Sequence, residues 1–284
     1  MNFCIFLASG HAAANPGFIS QTSELHQSPV WESLLHFREN KLQIRDDKFI
    51  LSLNRFSPKN ELAKTIQIFT GENWKGAVCR FPARYLWLKN HIALPNSDLE
   101  HCVEYWEFQK KAPADVISLI FASEKINQPS SMMGHIFLKL SGKDADGSER
   151  QHAISFYTNA DTYNIPKVIF ENFVTGMPGI YSLVPFDEAL KQYAMVEGRT
   201  IWEYQLRLNG SQRQLMQAHF FELRDIDFKY YFHSYNCASL IKELLYLVNP
   251  EATFASDYWT TPKDVIKHAS QAGLIAKTNV TPST

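Results

Sequence analysis

The chain has 284 residues, with 28 Lys and Arg against 29 Asp and Glu and a net charge of -1. That length suits one large domain or two small ones and excludes a disulfide-knot scaffold. A composition 45% hydrophobic and 13% aromatic is too apolar for disorder, its balanced charge gives no nucleic-acid footprint, and no run approaches the ~20 apolar residues that span a bilayer. The sequence reads as a soluble, aromatic-rich globular protein.

Residues 1–14 pass from an apolar run, Phe3 to Ala8, to Ala12-Ala13-Ala14 before Asn15-Pro16. This is the pattern of a truncated signal peptide lacking its basic start, the alternative being an Ala-rich N-terminus. Export would make Asn15 the start of the mature chain. Residues 15–29, rich in Ser, Gln and Pro, read as an extended lead-in.

Residues 30–112 read as an N-terminal helical subdomain. The periodicity predicts an amphipathic helix over Val30–Phe37, a strand over Phe49–Phe56, a helix from Pro58 to Phe69 with Ser57 at its N-cap, and a helix within Pro82–Ile92. Residues 113–284 read as the core with a C-terminal extension. There Val116–Ala122 is a buried central strand, and His135–Leu140 and His152–Tyr157 form a hairpin. Ile165–Tyr181, punctuated by Pro and Gly, is expected to be irregular. Asp187–Val196 reads as helix, Thr200–Leu208 as strand, Ser211–Leu223 as a helix capped by Ser211, and Ala238–Val248 as a buried helix.

Of the four cysteines, Cys4 falls in the signal-like segment. Cys79 and Cys102 flank one segment and form the expected disulfide; the alternative is three reduced, buried thiols. The absence of CxxC or HxxxH spacing gives a structural zinc site little support.

Cys237 stands where the aromatic segment Phe228–Phe232 gives way to a buried helix. A thiol at a helix N-terminus meets free N–H groups and the positive end of the dipole, which favour thiolate and can hold an oxyanion. Such a nucleophile needs an imidazole in reach and a third group to orient that imidazole. His135 and His152, each starting a strand of the hairpin, are the candidates; His233 lies four residues before Cys237, a spacing that helps only in a helix. The competing reading is a cysteine that merely packs.

Several motifs resemble one family: Cys79-Arg80-Phe81-Pro82-Ala83-Arg84-Tyr85, Pro129-Ser130-Ser131-Met132-Met133-Gly134-His135-Ile136-Phe137-Leu138, Trp202-Glu203-Tyr204, and Tyr230-Tyr231-Phe232 with Asn236-Cys237-Ala238. From about Trp31 to about Val248 the chain is similar to the Lnb N-terminal periplasmic domain family, named for bacterial lipoprotein N-acyltransferases. Its His-before-Cys order resembles circularly permuted papain-like enzymes, among them the lecithin–retinol acyltransferase group. The resemblance implies an α+β fold with an antiparallel sheet packed on helices, a periplasmic or envelope location, Cys237 as nucleophile, His135 as general base and acid, and His152 as the orienting group. Asn236, Ser131 and Tyr231 would support the thiol. Family members named for lipoprotein acylation carry the domain ahead of membrane-spanning segments, which this sequence does not contain.

The expected activity is therefore a cysteine-dependent acyltransferase or hydrolase working through an acyl thioester. It needs no cofactor or metal; a lipid, lipoprotein or peptide is its substrate, a membrane-associated protein is a candidate partner, and nucleic acid is not. The alternatives are a non-catalytic envelope binding module, a peptidoglycan or peptide amidase, and a metal site built from His135, His152 and Cys237.

Overall fold

The structure, a computed structural model, describes residues 24–125, 132–144, 146–159, 164–252 and 259–283. The signal-like segment and Ser131 lie outside the described residues.

The N-terminal helices are α1 (Pro29–Leu34), α2 (Pro58–Thr70), α3 (Trp74–Arg80), α4 (Pro82–Leu88) and α5 (Val103–Lys111). Proline starts α1, α2 and α4, where its fixed φ suits a first turn and its missing N–H costs nothing. Ser57 caps α2 as expected, accepting from the Asn60 N–H at 3.1 Å. The strand expected over Phe49–Phe56 is instead a set of turns ending in a 3₁₀ turn, Leu53–Arg55. The reason is a competing acceptor: buried Glu61 takes the Leu51 and Ser52 N–H groups at 2.9 and 2.7 Å and pairs with Arg84 at 2.7 Å, so these amides have no need of a sheet partner.

After the two-residue ladder β1 (Phe37–Arg38) and β2 (Lys41–Leu42), the strands are β3 (Val116–Ala122), β4 (His135–Lys143), β5 (Glu149–Tyr157), β6 (Met177–Pro178), β7 (Ile180–Pro185), β8 (Ile201–Leu206), β9 (Lys229–Tyr230) and β10 (Ile275–Thr281). Six of them form one antiparallel sheet in the order β10-β8-β3-β4-β5-β7, with the expected β4–β5 hairpin near its centre. β10 was not foreseen as a strand; it pairs only with β8 at the sheet edge and exposes most of its length, so its polar residues carry no alternation. The fold is thus α+β, an antiparallel sheet packed on helices.

The helices of the core are α6 (Ile165–Phe170), α7 (Phe186–Leu190), α8 (Gly210–Leu223), α9 (Cys237–Val248) and α10 (Pro262–Gln271). α6 and α7 run on into π-helical turns over Glu171–Thr175 and Lys191–Val196. So the segment expected to be irregular from Ile165 is helical as far as Thr175. The N-cap of α8 is Asn209, not Ser211: its side chain accepts from the Gln212 N–H while Gln212 bonds back to the Asn209 N–H.

Both faces of the sheet are covered, and strand alternation assigns the residues. Even-numbered Ile136, Leu138 and Leu140 face α9 and a core that continues through α8 into the N-terminal helices around Trp31 and Tyr85. Odd-numbered Phe137 and Ala153 face a smaller cluster closed by Phe186, Ala189 and Ala194. The disulfide Cys79–Cys102, with Cα atoms 5.1 Å apart, joins α3 to the start of α5, and closing that loop is worth about 3 kcal/mol in the chain-entropy model.

Candidate active site

Gly134 starts the site. With φ at +77° and the Phe121 ring where a Cβ would lie, this position admits only glycine, and it turns the chain into β4 so that His135 is its first residue. His135 falls on the odd-numbered face. Its Nε2 lies 2.8 Å from Ser155 Oγ, its ring stacks at 5.8 Å on Tyr193 from the turn after α7, and Phe137 stacks on both. Arg199 closes one side: its guanidinium donates to the Ala122 and Ser123 carbonyls and to Glu197. Burial, helped by the Arg199 charge, lowers the His135 pKa to about 3, so the resting ring is neutral.

Cys237 approaches from the other face, as the first residue of α9. Asn236 fixes that helix start. Its Oδ1 accepts from the Ser239 N–H at 3.0 Å, and its Nδ2 donates to the Phe232 and Thr260 carbonyls at 2.9 and 3.1 Å. Asn236 was expected to support the thiol; its side-chain bonds go to the helix start and to these carbonyls rather than to the sulfur. Burial raises the thiol pKa, while hydrogen bonds from the Ile136 N–H, the Tyr230 hydroxyl and the Ala238 N–H pull it down. The expectation of a thiolate promoted by the helix terminus is therefore corrected: desolvation outweighs the donors, and the resting thiol is neutral. The donors nonetheless form a shell where negative charge on sulfur would be received.

The sheet opens beside His135. Pairing between β4 and β5 begins at Leu138↔Ile154, so beside His135 and Ile136 the two strands have parted. The Ile136 N–H, one residue from His135, reaches the Cys237 sulfur in this gap. Tyr230 spans it: its hydroxyl accepts from the Cys237 N–H at 3.4 Å, and the same residue lines, with His135, Ser155, Tyr193 and Arg199, a cleft of about 590 Å³.

The structure does not bring His152 here. His152 pairs with Leu140 and Pro185, three residues along β5 from Ser155 and on the opposite face, beside Trp106 and Asp144. In a strand, an odd offset changes the face, so the group on the His135 ring is Ser155, which the sequence reading missed. The three-residue metal arrangement fails for the same reason. Among the described residues the group with metal-ligand spacing is Cys79, His101 and Cys102, whose two sulfurs are joined to each other. Tyr231 also points elsewhere, its ring against Gly176; Tyr230, its neighbour, meets the thiol. His233 stacks on Phe173 at 5.0 Å and precedes α9 in a turn.

Fold and site together define an α+β domain with a cysteine at a helix N-terminus, its sulfur met by the amide that follows a strand-borne histidine. Residues 104–272, more than half of the chain, match the Lnb N-terminal periplasmic domain, and the chain belongs to that family. Its place is accordingly the periplasm or cell envelope. Residues 23–91 match a second family, described as a domain of unknown function (DUF7843). No curated protein and no solved structure matches the chain.

Proposed function

We propose that the protein is a cysteine-dependent acyltransferase or hydrolase of the cell envelope, with a permuted papain-like arrangement of His135 and Cys237. The observation that carries this reading is the donor shell around the Cys237 sulfur, set in the sheet gap one residue from His135. With Nε2 held by Ser155, Nδ1 is the nitrogen left to take the thiol proton. Sulfur then attacks the acyl carbonyl carbon, and the oxyanion is met by N–H groups at the start of α9. Collapse expels the leaving alcohol or amine, which takes the proton back from His135, and leaves a thioester. Water or an amine, deprotonated by His135, releases the acyl group and restores the thiol. Because the resting pair is neutral, proton transfer accompanies attack rather than preceding it.

A second reading is favoured by one distance. Ser155 Oγ lies 2.8 Å from His135 Nε2, within the reach of a nucleophile from its base, and both line the cleft. Incubation with an activated acyl ester followed by intact mass separates the two. An adduct that maps to Cys237, disappears in Cys237→Ala and survives in Ser155→Ala supports the thiol reading. An adduct on Ser155, or one that persists in Cys237→Ala, overturns it.

A further inference from the structure

The helical segment Ile165–Thr175 is amphipathic in the inverted sense. Ile169, Phe170, Phe173 and Val174 are each more than half exposed, whereas Val168, Glu171 and Asn172 on the other side are half-buried. The inward side is anchored by a polar contact, Asn172 Oδ1 accepting from the Phe232 N–H at 2.7 Å. Helical spacing thus sends the large apolar side chains outward, against the usual pattern for a helix packed on a core.

What this face meets is indicated by its charges and its position. The charged side chain exposed near the apolar group is Lys167, and the segment ends at Gly176 against Lys229 and Tyr231, with Lys41 beside the Tyr231 ring. Phe232, to which Asn172 bonds, lines the His135 cleft, and other exposed apolar side chains lie on segments that bound it: Met133 precedes Gly134 and His135, and Met195 and Val196 stand between cleft-lining Tyr193 and Glu197. Apolar side chains bordered by lysines form the pattern of a helix lying in a lipid interface.

We propose that Ile165–Thr175 seats the protein on the surface of a phospholipid bilayer, with anionic headgroups meeting the lysines and the cleft opening beside the lipid. The inference does not rest on the thiol chemistry. Flotation of the full chain with phosphatidylcholine vesicles, with and without phosphatidylglycerol, tests it. The chain should partition onto vesicles, more strongly onto the anionic ones. Phe170→Ser with Phe173→Ser should lower the partition coefficient by about tenfold or more, since two large apolar rings are withdrawn from the interface. Melting should move little, because both rings are more than half exposed and the loss is the Phe173 stack on His233. Lys167→Glu should weaken binding to the anionic vesicles alone, and Cys237→Ala should float like the parent, so that failure of the thiol reading leaves the result intact. Three outcomes overturn the proposal: a chain that stays with the soluble fraction, a double variant that floats unchanged, or concentration-dependent self-association that the double variant abolishes without vesicle binding, which would assign the face to a second copy.

Discussion

His219 is fully buried and His135 half-buried, both are neutral and both are lowered to about 3 by desolvation, yet their surroundings are built for different ends. His219 belongs to a closed chain. Tyr235 hydroxyl lies 2.9 Å from His36 Nδ1, His36 Nε2 lies 3.0 Å from His219 Nε2, and His219 Nδ1 lies 3.2 Å from Glu222, whose other oxygen accepts the Ala83 and Arg84 N–H groups. One consistent set of donors satisfies every atom: Tyr235 donates to His36, His36 to His219, and His219 to Glu222. His135 has one held nitrogen and borders a cleft. A depressed histidine pKa therefore does not distinguish an architectural imidazole from a reactive one; the cleft beside the ring does.

The sharpest way to break this comparison is to remove each ring in turn. His135→Ala should abolish acyl transfer, a loss of about 10²–10⁴-fold for a general base, while the folded state persists. His36→Leu should do the reverse. It leaves Tyr235 and His219 each with an unmatched buried group, at about 1–3 kcal/mol apiece, and leaves turnover per folded molecule nearly intact. Denaturant midpoints and single-turnover rates on both variants decide it. A His36→Leu protein that is fully stable, or a His135→Ala protein that is fully active, would show that the assignments are exchanged.

Acid pH exposes the same contrast as a smaller effect. His36, His135 and His219 have folded pKa values below the ordinary 6.5, so the stability they contribute is complete above that pH and is lost as pH falls below it, toward about 3 for His135 and His219. Glu222 and Glu243, raised to about 7 by burial, work oppositely: their contribution is complete below 4.5 and is lost as pH rises through about 7. Between 4.5 and 6.5 the lowered histidines, His152 being a fourth, outnumber the raised carboxyls, Glu32 being a third, so stability should fall on acidification. Unfolding free energies measured across this window test the sign; stability that rises on acidification would contradict it.

The layers of the fold were legible because their patterns are strong. The seven-residue run of β3, the alternation of β4 and β5 and the apolar spacing of α9 each imply burial on a definite face, and Cys237 at a pattern change did start a helix. What was lost needed register or long-range partners. Counting along β5 separates His152 from Ser155 by a face, but only the pairing of Leu138 with Ile154 sets Ser155 beside His135. Tyr230 and Tyr231 are chemically equivalent in a string of letters; the β9 pairing with β6 decides which one turns toward the thiol. The helix Ile165–Thr175 escaped because its apolar side faces outward, so the expected relation between periodicity and core does not hold there.

The finest test concerns Tyr230, which bears on the thiol alone. Its hydroxyl supports the anionic sulfur while burial opposes it, and burial, with Cys237 adding to it, keeps the phenol above its usual range. Tyr230→Phe keeps the ring and its packing on Phe232 but withdraws one donor, a loss of about 1 kcal/mol. The thiol pKa should rise further by somewhat under one unit. Alkylation of Cys237 by iodoacetamide, already slow for a neutral buried thiol, should slow about fivefold at neutral pH, with the midpoint of its pH profile moved upward. The His36–His219 chain lies outside this contact, so the denaturant midpoint should move little. If the variant alkylates as fast as the parent with an unshifted profile, the hydroxyl is a packing neighbour of the sulfur and not a donor to it, and the shell in which the proposed thioester chemistry is set has one member fewer.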